Sequence, residues 1–69
     1  MRIYVNGEAR EVPEDCTAEQ LVTALGLMGR RLAMEVNLEI VPRSAYPAHR
    51  FKPDDRVEIV HAIGGGSGL

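Results

Sequence analysis

Arg2-Ile3-Tyr4-Val5-Asn6-Gly7-Glu8-Ala9-Arg10-Glu11-Val12-Pro13, followed by Thr17-Ala18-Glu19-Gln20, is the stretch from which the fold can be read. Ile3 and Val5 alternate with Arg2, Tyr4 and Asn6, the period of two expected of a strand with one buried face. Asn6-Gly7 supplies two successive residues that tolerate positive φ, as a type I′ turn demands, and Glu8 to Val12 reads as the return strand stopped by Pro13. Thr17 and Gln20 have the spacing of a capping box, with Glu19 placing negative charge in the first helical turn. Ala18, Leu21, Val22 and Leu25 then recur as one apolar stripe, and Gly26 is placed to end the helix in a left-handed conformation. A helix of about ten residues is marginal alone, so it must lie on a sheet.

Working outward, Leu32 to Asn37 alternates again, with Leu32, Met34 and Val36 on one side and Ala33, Glu35 and Asn37 on the other. Either side can be the buried one on this pattern alone. Asn37-Leu38-Glu39 reads as a turn, Ile40-Val41 as a short strand stopped by Pro42, and residues 43–55 as irregular, with Pro47, Pro53 and Asp54-Asp55 marking turns. Val57, Ile59, His61 and Ile63 alternate with Glu58, Val60 and Ala62 in the longest and last strand. Val57 and Ile59 are expected to face the helix, with Glu58, Val60 and Ala62 outward. Met28, Met34 and Leu38 are assigned to core or sheet surface. A hairpin, a helix and then two or three strands make an α+β two-layer domain. The helix lies in the connection between the halves, so the first and last strands are expected side by side and parallel. That is the β-grasp arrangement of ubiquitin: a mixed four- to five-stranded sheet packed on one main helix, spanning residues 1–63. Residues 64–69, Gly64-Gly65-Gly66-Ser67-Gly68-Leu69, form a Gly-rich tail expected to be flexible.

Composition limits what such a domain can do. Sixty-nine residues hold one small core and leave little room for a deep, multi-residue active site. Hydrophobic residues at 45% and charged residues at 26% are ordinary globular values. The net charge of −2 is too weak to suggest polyanion or membrane attraction. Its distribution is uneven: residues 1–29 are net acidic, whereas residues 30–56 carry Arg30, Arg31, Arg43, Arg50, Lys52 and Arg56. The single cysteine, Cys16, fits a reducing, cytoplasmic compartment, and the sequence shows no transmembrane run or secretory signal.

Side-chain chemistry is sparse. His49 and His61 are twelve residues apart, which matches no metal-ligand spacing, and His61 is expected at the surface or rim. Cys16 precedes the helix, whose dipole can depress a thiol pKa, but no base lies near it in sequence; a tolerated loop cysteine is the plainer reading. The basic residues fit a solvated face or a docking face for an acidic protein. A nucleic-acid surface would want interleaved aromatics, and the chain has only Tyr4, Tyr46 and Phe51. No catalytic side-chain set and no metal site is assigned.

The carboxyl-terminal glycines are the exception. Three in a row directly after a well-specified strand are what a backbone needs to enter a channel too narrow for side chains. Such a segment offers its own carboxylate as the reactive group.

Asn6-Gly7-Glu8, the run Asn37-Leu38-Glu39-Ile40-Val41-Pro42-Arg43, the run Asp54-Asp55-Arg56-Val57-Glu58-Ile59-Val60 and Ala62-Ile63-Gly64-Gly65-Gly66 together resemble the thiamine-pathway sulfur carrier family, over residues 1–66. The resemblance implies a β-grasp carrier, not an enzyme and monomeric when free. An ATP- and Mg-dependent adenylating enzyme would activate its terminal glycine, and a sulfur donor such as a cysteine desulfurase would convert that glycine to a thiocarboxylate. Thiazole synthase would receive the sulfur for the thiazole ring of thiamine. Gly66 would carry the sulfur, Gly64 and Gly65 would thread the partners' active sites, and no cofactor would be held tightly. Ser67-Gly68-Leu69 departs from the family pattern by placing a carboxylate about 10 Å beyond Gly66. The segment is expected to be a pro-segment trimmed by a protease; a foreign scar and an unusual route of activation are the other accounts. Tyr4, Val60 and Ala62 on the outer sheet face are expected to form the partner-docking patch, with Val60 beside Tyr4. Two other readings stand beside this one: a carrier for molybdopterin or cysteine synthesis, and a β-grasp protein- or RNA-interaction module with an incidental tail.

Overall fold

A computed structural model describes residues 1–61, with the side chain of His61 outside the description. Strands β1 (Arg2–Val5) and β2 (Glu8–Glu11) form the first hairpin, followed by helix α1 (Ala18–Ala24). Strands β3 (Leu32–Val36) and β4 (Glu39–Val41) form the second, and β5 (Arg56–His61) comes last. The sheet order is β2-β1-β5-β3-β4. β1 and β5 run parallel at the centre, as the crossover requires, while the other neighbours are antiparallel. Five strands and one helix therefore make the mixed β-grasp sheet read from the sequence.

Both hairpins turn in two residues at positive φ: Asn6 (51°) and Gly7 (86°), then Asn37 (52°) and Leu38 (72°). This is the backbone of the type I′ turn, whose twist matches that of the flanking strands.

The helix is shorter than its apolar stripe suggests, seven residues with Leu25 at the C-cap. Its N-terminus is the capping box expected: the Gln20 amide donates to Thr17 Oγ1 at 3.1 Å, and the Thr17 amide donates to Gln20 Oε1 at 3.0 Å. The C-terminus closes as a Schellman motif, with Leu27 N–H on the Val22 carbonyl and Gly26 N–H on that of Thr23, each at 3.0 Å. Gly26 at φ 73° is what this reversal needs.

The core lies between α1 and the inner sheet face. Ile3, Leu21, Met34 and Val57 are its largest fully buried side chains, with Val5, Ala18, Val22, Val36, Val41 and Ile59 around them. The Leu32/Met34/Val36 side of β3 is the one turned inward, Leu32 only in part. Met28 and Leu38 are exposed at 55% and 85%, so of the three residues assigned to core or sheet surface only Met34 is core.

Residues 43–55 are more ordered than their sequence suggests. Arg43–Ala45 form a 3-10 turn, and Tyr46 and Phe51 are buried core residues. The Tyr46 and His49 carbonyls accept from the Glu19 and Ala18 amides, at 3.1 and 2.9 Å. With Thr17 on Gln20, every helix N-terminal amide ahead of the first intrahelical bond has a partner.

Cys16 differs from the loop residue expected. It is 3% exposed, and its carbonyl accepts from Phe51 N–H at 3.0 Å. Burial pushes the thiol pKa up rather than down. Cys16 acts as a small core hydrophobe, and the buried surroundings outweigh any effect of the short helix.

Candidate functional site

β5 carries the chain toward Gly64, Gly65 and Gly66, and its geometry defines the working end of the molecule. On one side it is laddered to β3 from Val36↔Val57 through Leu32↔His61. On the other side the β1 ladder stops at Val5↔Val57, because the chain turns away at Asn6. The Asn6 backbone amide still donates to the Val57 carbonyl at 2.8 Å. Its side chain supplies the next rung: Oδ1 accepts from Ile59 N–H at 2.9 Å, and Nδ2 donates to the Ile59 carbonyl at 3.2 Å. Beside this end lies a groove of about 290 Å³ lined by Val5, Asn6, Arg10, Leu25, Leu27 and Ile59. Ala62, Gly64, Gly65, Gly66 and the Ser67-Gly68-Leu69 segment lie outside the described residues.

The start of β5 is tied down by the second hairpin. Asn37 Oδ1 accepts from Arg56 N–H at 3.0 Å, and its Nδ2 donates to Asp55 at 2.9 Å. Asp55 is buried, and its other oxygen accepts from Lys52 N–H at 2.8 Å. A buried carboxylate bonded through both oxygens is a structural brace.

The outer face of the sheet divides in two. Val57 and Ile59 face the helix, and Glu58 and Val60 point outward, as alternation requires. Val60 (66% exposed) sits opposite Ala33, and Ile40 (74%) lies one strand over, opposite Glu35. Glu35 in turn faces Glu58 across the β3–β5 pair, two like charges directly opposed. Tyr4 lies elsewhere. It is half-buried and opposite Arg56, whose guanidinium carbon is 5.5 Å from the ring centroid. Four residues of β5, roughly 13 Å of strand, separate Arg56 from Val60. Tyr4 and Val60 thus share a face without being neighbours, and Val60 joins Ala33 and Ile40 instead. Ile40 was not singled out from sequence; its alternation with Val41, which is buried, was the available signal.

Tyr46 and Phe51 are buried, leaving Tyr4 as the aromatic ring at the surface, so the basic residues have no stacking platform beside them. Arg30, Arg31, Arg43, Arg50, Lys52 and Arg56 are all exposed. No cluster of metal-ligating side chains exists among the described residues. No helix among them is long and apolar enough to cross a membrane.

A small β-grasp domain that directs its last strand into a glycine run belongs to the class of ubiquitin-like proteins. Comparison with known proteins makes this specific. The ThiS family profile matches residues 3–66, and the chain belongs to that family. It is 45% identical over 67 residues to a thiazole synthase of Paramagnetospirillum magneticum and 39% identical over 66 residues to one of Magnetococcus marinus. These alignments cover 97% and 96% of this chain but only 21% and 20% of those proteins, so the chain spans about a fifth of their length. The crystal structure of the thiamine biosynthesis protein ThiS from Geobacter metallireducens superposes with a TM-score of 0.80 at 32% identity, covering 96% of this chain and all of that one. A solution structure of a thiamine biosynthesis protein from the same organism gives 0.77 at 30% identity, covering 100% of this chain and 92% of that one.

Proposed function

We propose that this protein is the sulfur carrier for thiazole formation in thiamine synthesis, with Gly66 as the site of loading. The observation that carries the reading is the coincidence of two ends: the family match runs to residue 66, the last of the three consecutive glycines that follow β5. The two relatives bearing the name thiazole synthase support the choice of pathway over molybdopterin or cysteine synthesis.

The chemistry asks little of the carrier's side chains. The Gly66 carboxylate attacks ATP, held with Mg at a partner enzyme, and releases pyrophosphate to give an acyl-adenylate. A sulfur nucleophile derived from a donor such as a cysteine desulfurase displaces AMP and leaves a thiocarboxylate. Thiazole synthase then takes the sulfur. Glycines at 64 and 65 let the main chain enter those sites without side-chain collisions. The reading requires that the peptide bond after Gly66 be cut, removing Ser67-Gly68-Leu69, and it places the protein in the reducing cytoplasm.

The Ala33–Ile40–Val60 surface is where the activating enzyme docks in this scheme. Glu35 and Glu58, opposed at a cost in stability, suit a partner whose apolar surface is edged by basic groups. Val60→Asp is expected to weaken that association while leaving the fold intact.

The decisive experiment incubates the chain ending at Gly66 with an adenylating enzyme, ATP, Mg and a sulfur donor. Intact mass should rise by the exchange of one oxygen for sulfur, and deletion of Gly65 and Gly66 should abolish it. Absence of ATP–pyrophosphate exchange with the Gly66-ended chain would overturn the reading. Retention of all partner affinity by the deletion variant would favour a plain interaction module.

A further inference from the structure

We propose that Asn6 is a positioning residue for the carboxyl-terminal run, its carboxamide acting as the final β1-side fastening of β5 and setting the direction in which the chain leaves the sheet. The inference rests on the sulfur-carrier reading and adds to it a residue fifty-three positions from Ile59 in sequence.

The geometry separates this role from turn formation. A type I′ turn needs only positive φ at Asn6 and Gly7, which glycine satisfies at either position. The Asn6 side chain does something the turn does not require, pairing with both the N–H and the carbonyl of Ile59. An amide side chain is suited to this because it presents one donor and one acceptor side by side, as a strand backbone does. It extends the parallel ladder by one rung after the β1 backbone has departed. Gly64 is only five residues past Ile59. A change in the pitch of β5 at Ile59 is therefore amplified along the segment that must reach a reactive centre, where misplacement by about 1 Å costs up to about a hundredfold in rate.

Asn37 supplies the control. It also occupies the first position of a type I′ turn, and it also fastens β5, but at Arg56, the end remote from the glycines. Asn6→Gly and Asn37→Gly keep the turn conformation and remove one fastening each. Asn6→Asp retains the acceptor for Ile59 N–H and loses the donor to its carbonyl.

The test measures adenylation kinetics by pyrophosphate exchange, and amide exchange at Ile59 and Val60, for the Gly66-ended chain and the three variants. In Asn6→Gly the Ile59 amide should exchange about tenfold faster, the loss expected of about one net hydrogen bond. Its kcat should fall about tenfold with KM for the carrier within about twofold, since the docking face is untouched. Asn6→Asp should fall between wild type and Asn6→Gly, and Asn37→Gly should lose thermal stability with kcat retained. Equal kcat losses in Asn6→Gly and Asn37→Gly, or an unchanged kcat in Asn6→Gly, overturn the proposal while leaving the carrier reading intact. Inactivity of the wild-type chain instead sinks the carrier reading and the proposal with it. If Asn6→Gly does not fold by circular dichroism, the kcat of Asn6→Asp decides: a wild-type value overturns the proposal, and a reduced one at unchanged KM supports it.

Discussion

The two hairpins share a turn type and a device, yet they are built for different ends. Each turns through an asparagine at positive φ, and each asparagine reaches across to fasten β5, from opposite sides and at opposite ends. The first completes its turn with Gly7, the residue with no steric cost at φ 86°. The second uses Leu38 at φ 72°, a branched apolar side chain in a conformation that costs about 1 kcal/mol and exposes 85% of the residue to water. One hairpin is optimised for its own geometry. The other accepts strain and exposed apolar surface, and it lies on the edge of the sheet next to Ile40 and the opposed Glu35–Glu58 pair. Strain of this kind concentrates where a surface meets a partner.

The comparison can be broken most sharply at the core. Ile3→Ala in the first hairpin should cost about 3 kcal/mol by chemical denaturation, whereas Ile40→Ala in the second should cost less than about 0.5 kcal/mol. A domain of this size has only about 4–10 kcal/mol in total, so Ile3→Ala should approach the unfolding threshold at 37 °C. Similar costs for the two variants would mean that Ile40 is covered in solution.

Asn37→Ala tests the fastening itself. Alanine is strained at φ 52° and leaves Arg56 N–H and Asp55 each without one partner, so a loss of about 2 kcal/mol is expected. Asn37→Gly should cost about half of that, and a titration in urea separates the two. Equal losses would assign the whole effect to the side-chain bonds and none to backbone strain.

Leu38→Gly should act in the opposite sense. Relief of the left-handed leucine should stabilise the domain by about 0.5 kcal/mol net, after the greater freedom of glycine in the unfolded chain is counted. Calorimetry should show a small rise in Tm, and binding to the activating enzyme should weaken. A fall in both would make Leu38 a structural residue.

The smallest effect is expected where the first hairpin joins the helix. Burial raises the Cys16 thiol pKa, so the fold holds its proton when the unfolded chain has already lost it. Stability from this source is therefore constant at neutral pH and declines as pH climbs past about 8.5. Cys16→Ala should lose less stability than wild type between about pH 7 and about pH 10 in a series of thermal melts. Parallel curves would show that the thiol does not titrate in this range.

Local physics made much of this molecule readable in advance. Asn6-Gly7 allows few backbones other than a tight hairpin, Thr17 with Gln20 can cap only a helix start, and alternation in β5 places Val57 and Ile59 inward and Val60 outward. Residues whose meaning depended on distant partners were misread or passed over. Cys16 and Phe51 are core because their segments meet 35 residues apart in sequence, which no short-range pattern records. The neighbours of Tyr4 and Val60 depended on strand register, a pairing between segments about fifty residues apart.

Sequence alone determined the turns, the caps, the inward and outward faces of each strand and the glycine run, because each follows from the conformational limits of residues within one or two turns of chain. Tertiary structure alone decided that the Asn6 carboxamide continues a ladder its own backbone has left, and that Ile40, Ala33 and Val60 form one surface. Hydrogen-bond partners and cross-strand neighbours are set by register, and register exists only once the sheet has assembled.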